Sequence, residues 1–277
     1  MNVVEANGAK IPVIGLGTMT LMDAVCVEAV ETALRLGYRH IDTAERYRNE
    51  IEVGEGLRGG LRAAGLARED VFVTTKVFHD RLAAADFERS LDQSLRNLEL
   101  SWVDLLLIHW PNPNVPLKET LDVLCKARRD GRAKHVGVAN FTTSLLQDAV
   151  KLASEPLVTN QIEVHPFIDQ DKVLAACRAH GLAVTAYCPL ARGKVPGNDV
   201  LARIGKAHGK TSVQIALRYL VQQGIIPIPR TSNPDHLAAN LAIFDFTLSD
   251  AEMTEIARLK QAGMRVVNPP HAPRWDD

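Results

Sequence analysis

The sequence predicts an α/β fold of the closed (β/α)8 type, a TIM barrel, as a single domain over residues 1–277. Three observations carry this. Short β-prone runs alternate with amphipathic helical stretches, and a regular βα alternation requires a parallel sheet. Eight such units fit within 277 residues, a length that suits a closed barrel better than an open doubly wound sheet. No Pro/Gly/Ser-rich linker or low-complexity tract divides the chain.

Ahead of the barrel, Val3-Val4 and Lys10-Ile-Pro-Val flank Asn7-Gly8, a pairing that predicts a small N-terminal β-hairpin. Val13 to Thr18 is the first barrel strand, ending in glycines, and the helix Asp23 to Leu36 stops at Gly37. Further strands are predicted at Tyr38 to Ile41, Val71 to Val77, Val103 to Ile108, His135 to Val138, Leu157 to Ile162, Leu182 to Tyr187 and Ile225 to Ile228. Helical periodicity separates them at Glu50 to Ala64, Ala85 to Leu98, Leu117 to Arg129, Thr143 to Ala153 and Asp169 to His180. It returns in the pair Asp199 to His208 and Thr211 to Gln223. A last helix, Ser249 to Gln261, opens with Ser249 and Glu252 at capping-box spacing. The proline-rich run from Val266 to Asp277 cannot be regular helix and is expected to lie across the barrel as a loop tail.

Composition narrows the function. With 46% hydrophobic and 23% charged residues the chain suits a soluble globular protein with a large core. A net charge of -1, from 32 basic and 33 acidic residues, favours neither nucleic acid nor an anionic membrane as partner. Cys26, Cys125, Cys177 and Cys188 form no CxxC pair, so neither zinc nor a disulfide framework is expected, and a reducing cytoplasm is the natural setting. No apolar run reaches the roughly 18 residues of a membrane span, and the N-terminus lacks the pattern of a signal peptide.

Two motifs mislead. Gly54-Glu-Gly56-Leu-Arg-Gly59 matches the dinucleotide-binding GxGxxG pattern, but that pattern works only where it directly follows a strand and opens a helix, and Asn49 to Val53 already reads as helical. Gly205 to Thr211 misses the phosphate-loop spacing by one residue and reads better as one helix end followed by a helix capped near Thr211.

In a barrel of this kind the reacting groups sit at the C-terminal ends of the strands. The second strand ends at Asp42 with Tyr47 just beyond, the third at Lys76 and the fourth at His109 followed by Trp110. The fifth ends at Asn140, the sixth carries Gln161 and the seventh ends at Tyr187. Taken singly, Asp42 reads as a helix cap, Lys76 as a snorkelling amine and His109 as a core histidine. Four reactive groups on three adjacent strand ends, within reach of one pocket, favour chemistry.

The runs Gly15-Leu-Gly-Thr, His40-Ile-Asp-Thr-Ala with Tyr47 and Asn49-Glu50, Leu107-Ile-His-Trp-Pro, Asn160-Gln-Ile-Glu-Val-His-Pro and Pro189-Leu-Ala-Arg-Gly carry a resemblance to the aldo-keto reductase family over essentially the full length. Within it the chain is most similar to the prokaryotic 2,5-diketo-D-gluconic acid reductase-like branch. The resemblance implies NAD(P)H-dependent reduction of aldehydes and ketones, among them small dicarbonyls and keto-sugar acids, by a catalytic tetrad of Asp42, Tyr47, Lys76 and His109. Tyr47 would protonate the carbonyl oxygen, its phenol lowered from about 10 by Lys76. Asp42 would hold Lys76 charged, and His109 would orient the carbonyl.

The same resemblance implies a nicotinamide cofactor bound extended, with no Rossmann fold and no metal. Its cofactor residues map onto Thr18, Asn140, Gln161, Tyr187, Leu190 and Arg192, with Arg230, Thr231, His236 and Asn240 at the adenosine end. Ala139 and Cys188 depart from the serines usual in the family. Arg230 is a cation fit to grip a 2′-phosphate, whereas His236 stands where a second cation is usual. A modest preference for NADPH is expected, with NADH also usable. Met19, Phe78, Trp110 and Trp275 would line the pocket for a small carbonyl substrate, and a monomer is expected. An alternative is a non-catalytic, nicotinamide-binding regulatory barrel. A metal-dependent hydrolase would need clustered ligands, for which only His40 and Asp42 lie close and no HxH pair exists.

Overall fold

The computed structural model describes residues 2–276. The hairpin forms from β1 (Val3–Ala6) and β2 (Ala9–Pro12), antiparallel. Its turn residues Asn7 and Gly8 both adopt positive φ, 45° and 88°, the conformation that makes Asn-Gly the favoured two-residue turn. The Asn7 amide donates to the Leu157 and His180 carbonyls, so the hairpin closes the N-terminal end of the barrel.

Eight strands then follow in sequence order: β3 (Leu16–Gly17), β4 (His40–Asp42), β5 (Phe72–Val77), β6 (Val103–Ile108), β7 (Ala133–Ala139), β8 (Leu157–Glu163), β9 (Ala183–Tyr187) and β10 (Ile225–Pro227). Each pairs in parallel with its neighbours. The ring closes between its first and last members. Gly15 and Gly17 N–H donate to the carbonyls of Pro227 and Pro229, both at 3.1 Å, while Ile228 N–H turns the other way to Ala186 on β9. Proline has no N–H to return across the seam, which leaves the closing ladder one-directional. Gly17 is required there, because a Cβ would stand 2.8 Å from the Ile228 carbonyl oxygen.

The helices are α1 (Asp23–Leu36), α2 (Glu50–Ala64), α3 (Ala84–Leu98), α4 (Leu117–Arg129), α5 (Thr143–Leu152), α6 (Asp171–Ala179), α7 (Asp199–His208), α8 (Ser212–Gln222), α9 (Pro234–Leu241) and α10 (Asp250–Ala257). Their apolar stripes bury against the outer face of the sheet, and a second, smaller core fills the barrel floor around Ile11, Phe72, Leu105 and Ile226. The glycines of the misleading GxGxxG run lie inside α2. A Cβ on Gly54 would stand 2.6 Å from the Leu98 carbonyl oxygen and one on Gly56 would stand 2.8 Å from the Val27 carbonyl oxygen, so these glycines let three helices approach closely. The false phosphate loop is a helix end at Gly209 followed by α8, capped by Thr211 and Gln214. The chain departs from the sequence expectation in a shorter first strand, in a last helix that stops at Ala257, and in α9, a helix the sequence reading does not include. Among the described residues no helix is long and apolar enough to cross a membrane, and no group of three or more His, Cys, Asp or Glu could hold a metal.

Candidate active site

The turn that follows β4 delivers the phenol. Residues Glu45–Tyr47 form a single 3-10 turn, closed by Arg48 in the left-handed region at φ 59°. Asn49 locks this turn to the first strand, its amide donating to the Thr18 and Leu21 carbonyls at 2.8 Å each. Glu45 fixes the other side by accepting from Phe78 N–H at 2.7 Å and from the Ser90 hydroxyl. Beneath it, burial raises the Glu50 carboxyl above the usual carboxylate range, opposed by donors including Thr75 at 2.6 Å.

Three strand ends bring the four predicted groups together. Lys76 Nζ donates to Asp42 Oδ1 at 2.6 Å, to the Thr43 carbonyl at 2.8 Å and to Tyr47 Oη at 3.4 Å. Lys76 and Asp42 are fully sealed, while Tyr47 remains half-buried at the mouth. The His109 ring stands edge-on to Tyr47, 5.7 Å between centroids. Its Nδ1 is sealed without a partner.

The electrostatics follow from burial first. Burial alone would lower Lys76, but Asp42, assisted by Tyr47, reverses this and holds the ammonium above its usual value. Burial pushes the Tyr47 phenol up, and Lys76 pulls it down without cancelling the rise. The net direction therefore corrects the expectation of a lowered phenol: Lys76 opposes the shift but does not overturn it. Burial, with Lys76 next, holds His109 well below the ordinary imidazole range, so the ring is neutral at pH 7.

Asn140, Gln161 and Tyr187 converge beside this group. Gln161 Nε2 donates to Asp42 Oδ2 at 2.7 Å, which gives the buried carboxylate a second partner. Asn140, at φ 63°, donates to the His109 carbonyl at 2.9 Å and accepts from Tyr187 Oη at 2.7 Å. Beyond Tyr187 the chain turns through three non-glycine left-handed residues, Cys188, Ala191 and Arg192. Leu190 is half-buried within this loop and Arg192 is exposed. Arg230 and His236 are exposed, Thr231 is half-buried, and His236 lies in the first turn of α9, whose amides are capped by Asn233. Thr18 and Asn240 are committed elsewhere. The Thr18 hydroxyl donates to the Asp42 carbonyl at 3.1 Å, and the buried Asn240 side chain bonds to Tyr38.

At the mouth, Phe78 packs edge-on to His109 at 5.5 Å, Trp110 is buried and Met19 is exposed. The tail crosses here as expected. Trp275 meets Trp110 at 6.0 Å, and His271 meets Trp110 at 5.2 Å and Phe78 at 5.3 Å while stacking on His79 at 4.0 Å. His271 was not singled out from the sequence, where only the adjacent Trp275 marked the tail. Nor was Glu163, although it stands within the Asn160 to Pro166 run that carries the family resemblance.

Comparison with known proteins bears on what such a site does. The model of the Aldo/keto reductase family matches residues 13–261. The chain is 37% identical to the methylglyoxal reductase DkgB of Salmonella typhi over 270 residues, 96% of this chain and 99% of that protein. A crystal structure provisionally assigned as a 2,5-diketo-D-gluconic acid reductase B superposes with a TM-score of 0.96 at 43% identity, covering 100% of this chain and 98% of that one. A Bombyx mori aldo-keto reductase solved in complex with NADP gives 0.87 at 34% identity, covering 93% and 92%.

Proposed function

This chain belongs to the aldo/keto reductase family, an oxidoreductase acting on carbonyl groups, and on that premise we propose that it reduces small aldehydes, ketones, dicarbonyls or keto-sugar acids, with Tyr47 as general acid. The observation that carries the reading is Lys76 Nζ held at once by Asp42 at 2.6 Å and against Tyr47 Oη at 3.4 Å. A phenol with a raised value keeps its proton through neutral pH, and the ammonium beside it stabilises the phenolate left behind when the proton goes to the carbonyl oxygen. His109, held neutral by burial, would donate a ring N–H in a hydrogen bond that orients the same oxygen.

The residues present fit a nicotinamide dinucleotide. Gln161 offers its amide oxygen and Asn140 an amide hydrogen to the carboxamide, and the Tyr187 ring offers a stacking face. Leu190 and Arg192 would lie along the pyrophosphate. Arg230 and His236, with Thr231, would meet a 2′-phosphate, while Thr18 and Asn240 would shape the walls. The cofactor, when bound, supplies the hydride. His236 forgoes a charge-assisted contact of roughly 1.5–3 kcal/mol, which supports a modest preference for NADPH with NADH also used. Met19, Phe78, Trp110 and Trp275 would bound the carbonyl compound, methionine making that wall adaptable.

Following NADPH absorbance with methylglyoxal for the native chain and Tyr47→Phe tests the reading. Loss of about 100-fold to 10,000-fold in kcat with cofactor binding intact is expected, the range a positioned acid contributes. Cofactor binding with no turnover on any carbonyl compound by the native chain would sink it.

A further inference from the structure

Glu163 ends β8 with its side chain wholly buried, and a carboxylate so placed needs donors on both oxygens. The donors come from the tail. Val266 N–H donates to Oε1 at 2.7 Å and Val267 N–H to Oε2 at 2.8 Å. His165 Nε2 adds a third donor to Oε1 at 3.0 Å. Its Nδ1 accepts from Phe167 N–H at 3.3 Å, so the ring proton belongs on Nε2 and the imidazole is aimed at Glu163. The far end of the tail is pinned in a similar way. Asp276 Oδ2 accepts from the Thr143 amide at 2.8 Å and the Thr143 hydroxyl at 3.0 Å, capping α5 from a distant part of the chain. Between the two pins lie His271 and Trp275, set against Phe78 and Trp110 at the mouth.

We propose that Glu163 is a positioning residue for the carbonyl substrate: by clamping two consecutive tail amides it holds His271 and Trp275 over the pocket. It governs substrate affinity and leaves the chemical step to the four groups below. This rests on the reductase reading given above. Only a carboxylate serves here, because two adjacent N–H groups need two acceptors, and an amide in its place would turn an N–H toward an N–H.

Glu163→Gln, Trp275→Ala and the double variant test this in the full chain, with kinetics on methylglyoxal and hydrogen exchange at the Val266 and Val267 amides. Glu163→Gln is expected to raise KM about tenfold while kcat stays within about twofold, and to speed exchange at both amides about tenfold. In the Trp275→Ala background it should add little to KM, since both act through the same segment. Tail amides exchanging at the native rate would overturn the clamp. KM effects that multiply in the double variant, or a fall in kcat at constant KM, would overturn the route through Trp275. If Glu163→Gln does not fold, Val267→Pro removes the donor to Oε2 while keeping Glu163 itself, and a native KM in that variant overturns the proposal. Exchange needs no substrate, so it judges the clamp even if the native chain turns over no carbonyl, a result that would defeat the reductase reading and the substrate role together.

Discussion

Lys76 and Asp42 meet at 2.6 Å inside the barrel, and neither side chain reaches solvent. Removing one member of such a pair leaves an uncompensated buried charge, which costs about 3–5 kcal/mol. Lys76→Met should therefore destabilise the fold by that order in urea unfolding, softened by the Gln161 bond that Asp42 retains. The double variant Asp42→Asn/Lys76→Met should lose clearly less than the sum of the two single changes. Additive losses would show that the pair is not coupled.

The direction of the Tyr47 shift sets a pH profile. The phenol must be protonated to donate, and burial raises it above its ordinary value near 10 despite Lys76. With methylglyoxal, kcat/KM for reduction should stay level through neutral pH and fall only in the alkaline range as the phenol ionises. Lys76→Met removes the downward pull, so its alkaline limb should move to still higher pH along with a lower rate. A native limb near pH 7 would contradict the assignment.

His40 is fully buried against Thr74, and burial pushes its imidazole down to about 4. The folded state then binds the proton less readily than the unfolded chain, whose value is near 6.5. The associated stability is present above pH 6.5 and is lost as pH falls from there toward 4, by about 3 kcal/mol. His40→Gln should flatten that part of the stability curve relative to the native chain. Parallel curves in thermal unfolding between pH 7 and 4 would refute the point.

Exposed His236, in the first turn of α9, offers a direct handle on cofactor choice. His236→Arg supplies a permanent bidentate donor worth roughly 1.5–3 kcal/mol on a phosphate. The ratio of kcat/KM for NADPH over NADH should rise about tenfold to 150-fold. An unchanged ratio would place the 2′-phosphate elsewhere.

Gly17→Ala sets a Cβ 2.8 Å from the Ile228 carbonyl oxygen at the closing seam. Because the obstacle is backbone, the strands must part, at about 1–3 kcal/mol by comparison with overpacked cores. Denaturant unfolding should register a loss of that size, with the cofactor site intact in the fraction that folds.

Much of this was legible in the chain because its punctuation is local. Gly37, Gly65 and Gly209 end α1, α2 and α7 in the left-handed conformation, and the helix limits read from the sequence coincide with the structure at those ends. Once the strands were placed, their C-terminal ends named Asp42, Lys76 and His109, because barrel topology alone brings those ends together. Other features depend on contacts between residues far apart in sequence. The Glu163 clamp joins groups more than a hundred residues apart, and the Gln161 bond to Asp42 spans 119. The net direction at Tyr47 depends on how deeply the ring is covered, which no local pattern records. The signal for α9 is local as well: Asn233-Pro234 is a cap followed by proline in the first turn.

The one-way seam between Gly15, Gly17 and the two prolines has a consequence for assembly. Every other neighbouring pair of barrel strands joins segments close in the chain, whereas this junction ties the opening residues to a stretch near its far end. Loop-closure entropy opposes it most, and fewer amides reward it. The joint is accordingly expected to close last as the ring of strands forms, and amide exchange at Gly15 and Gly17 faster than along the rest of the wall is the measurement that would report it.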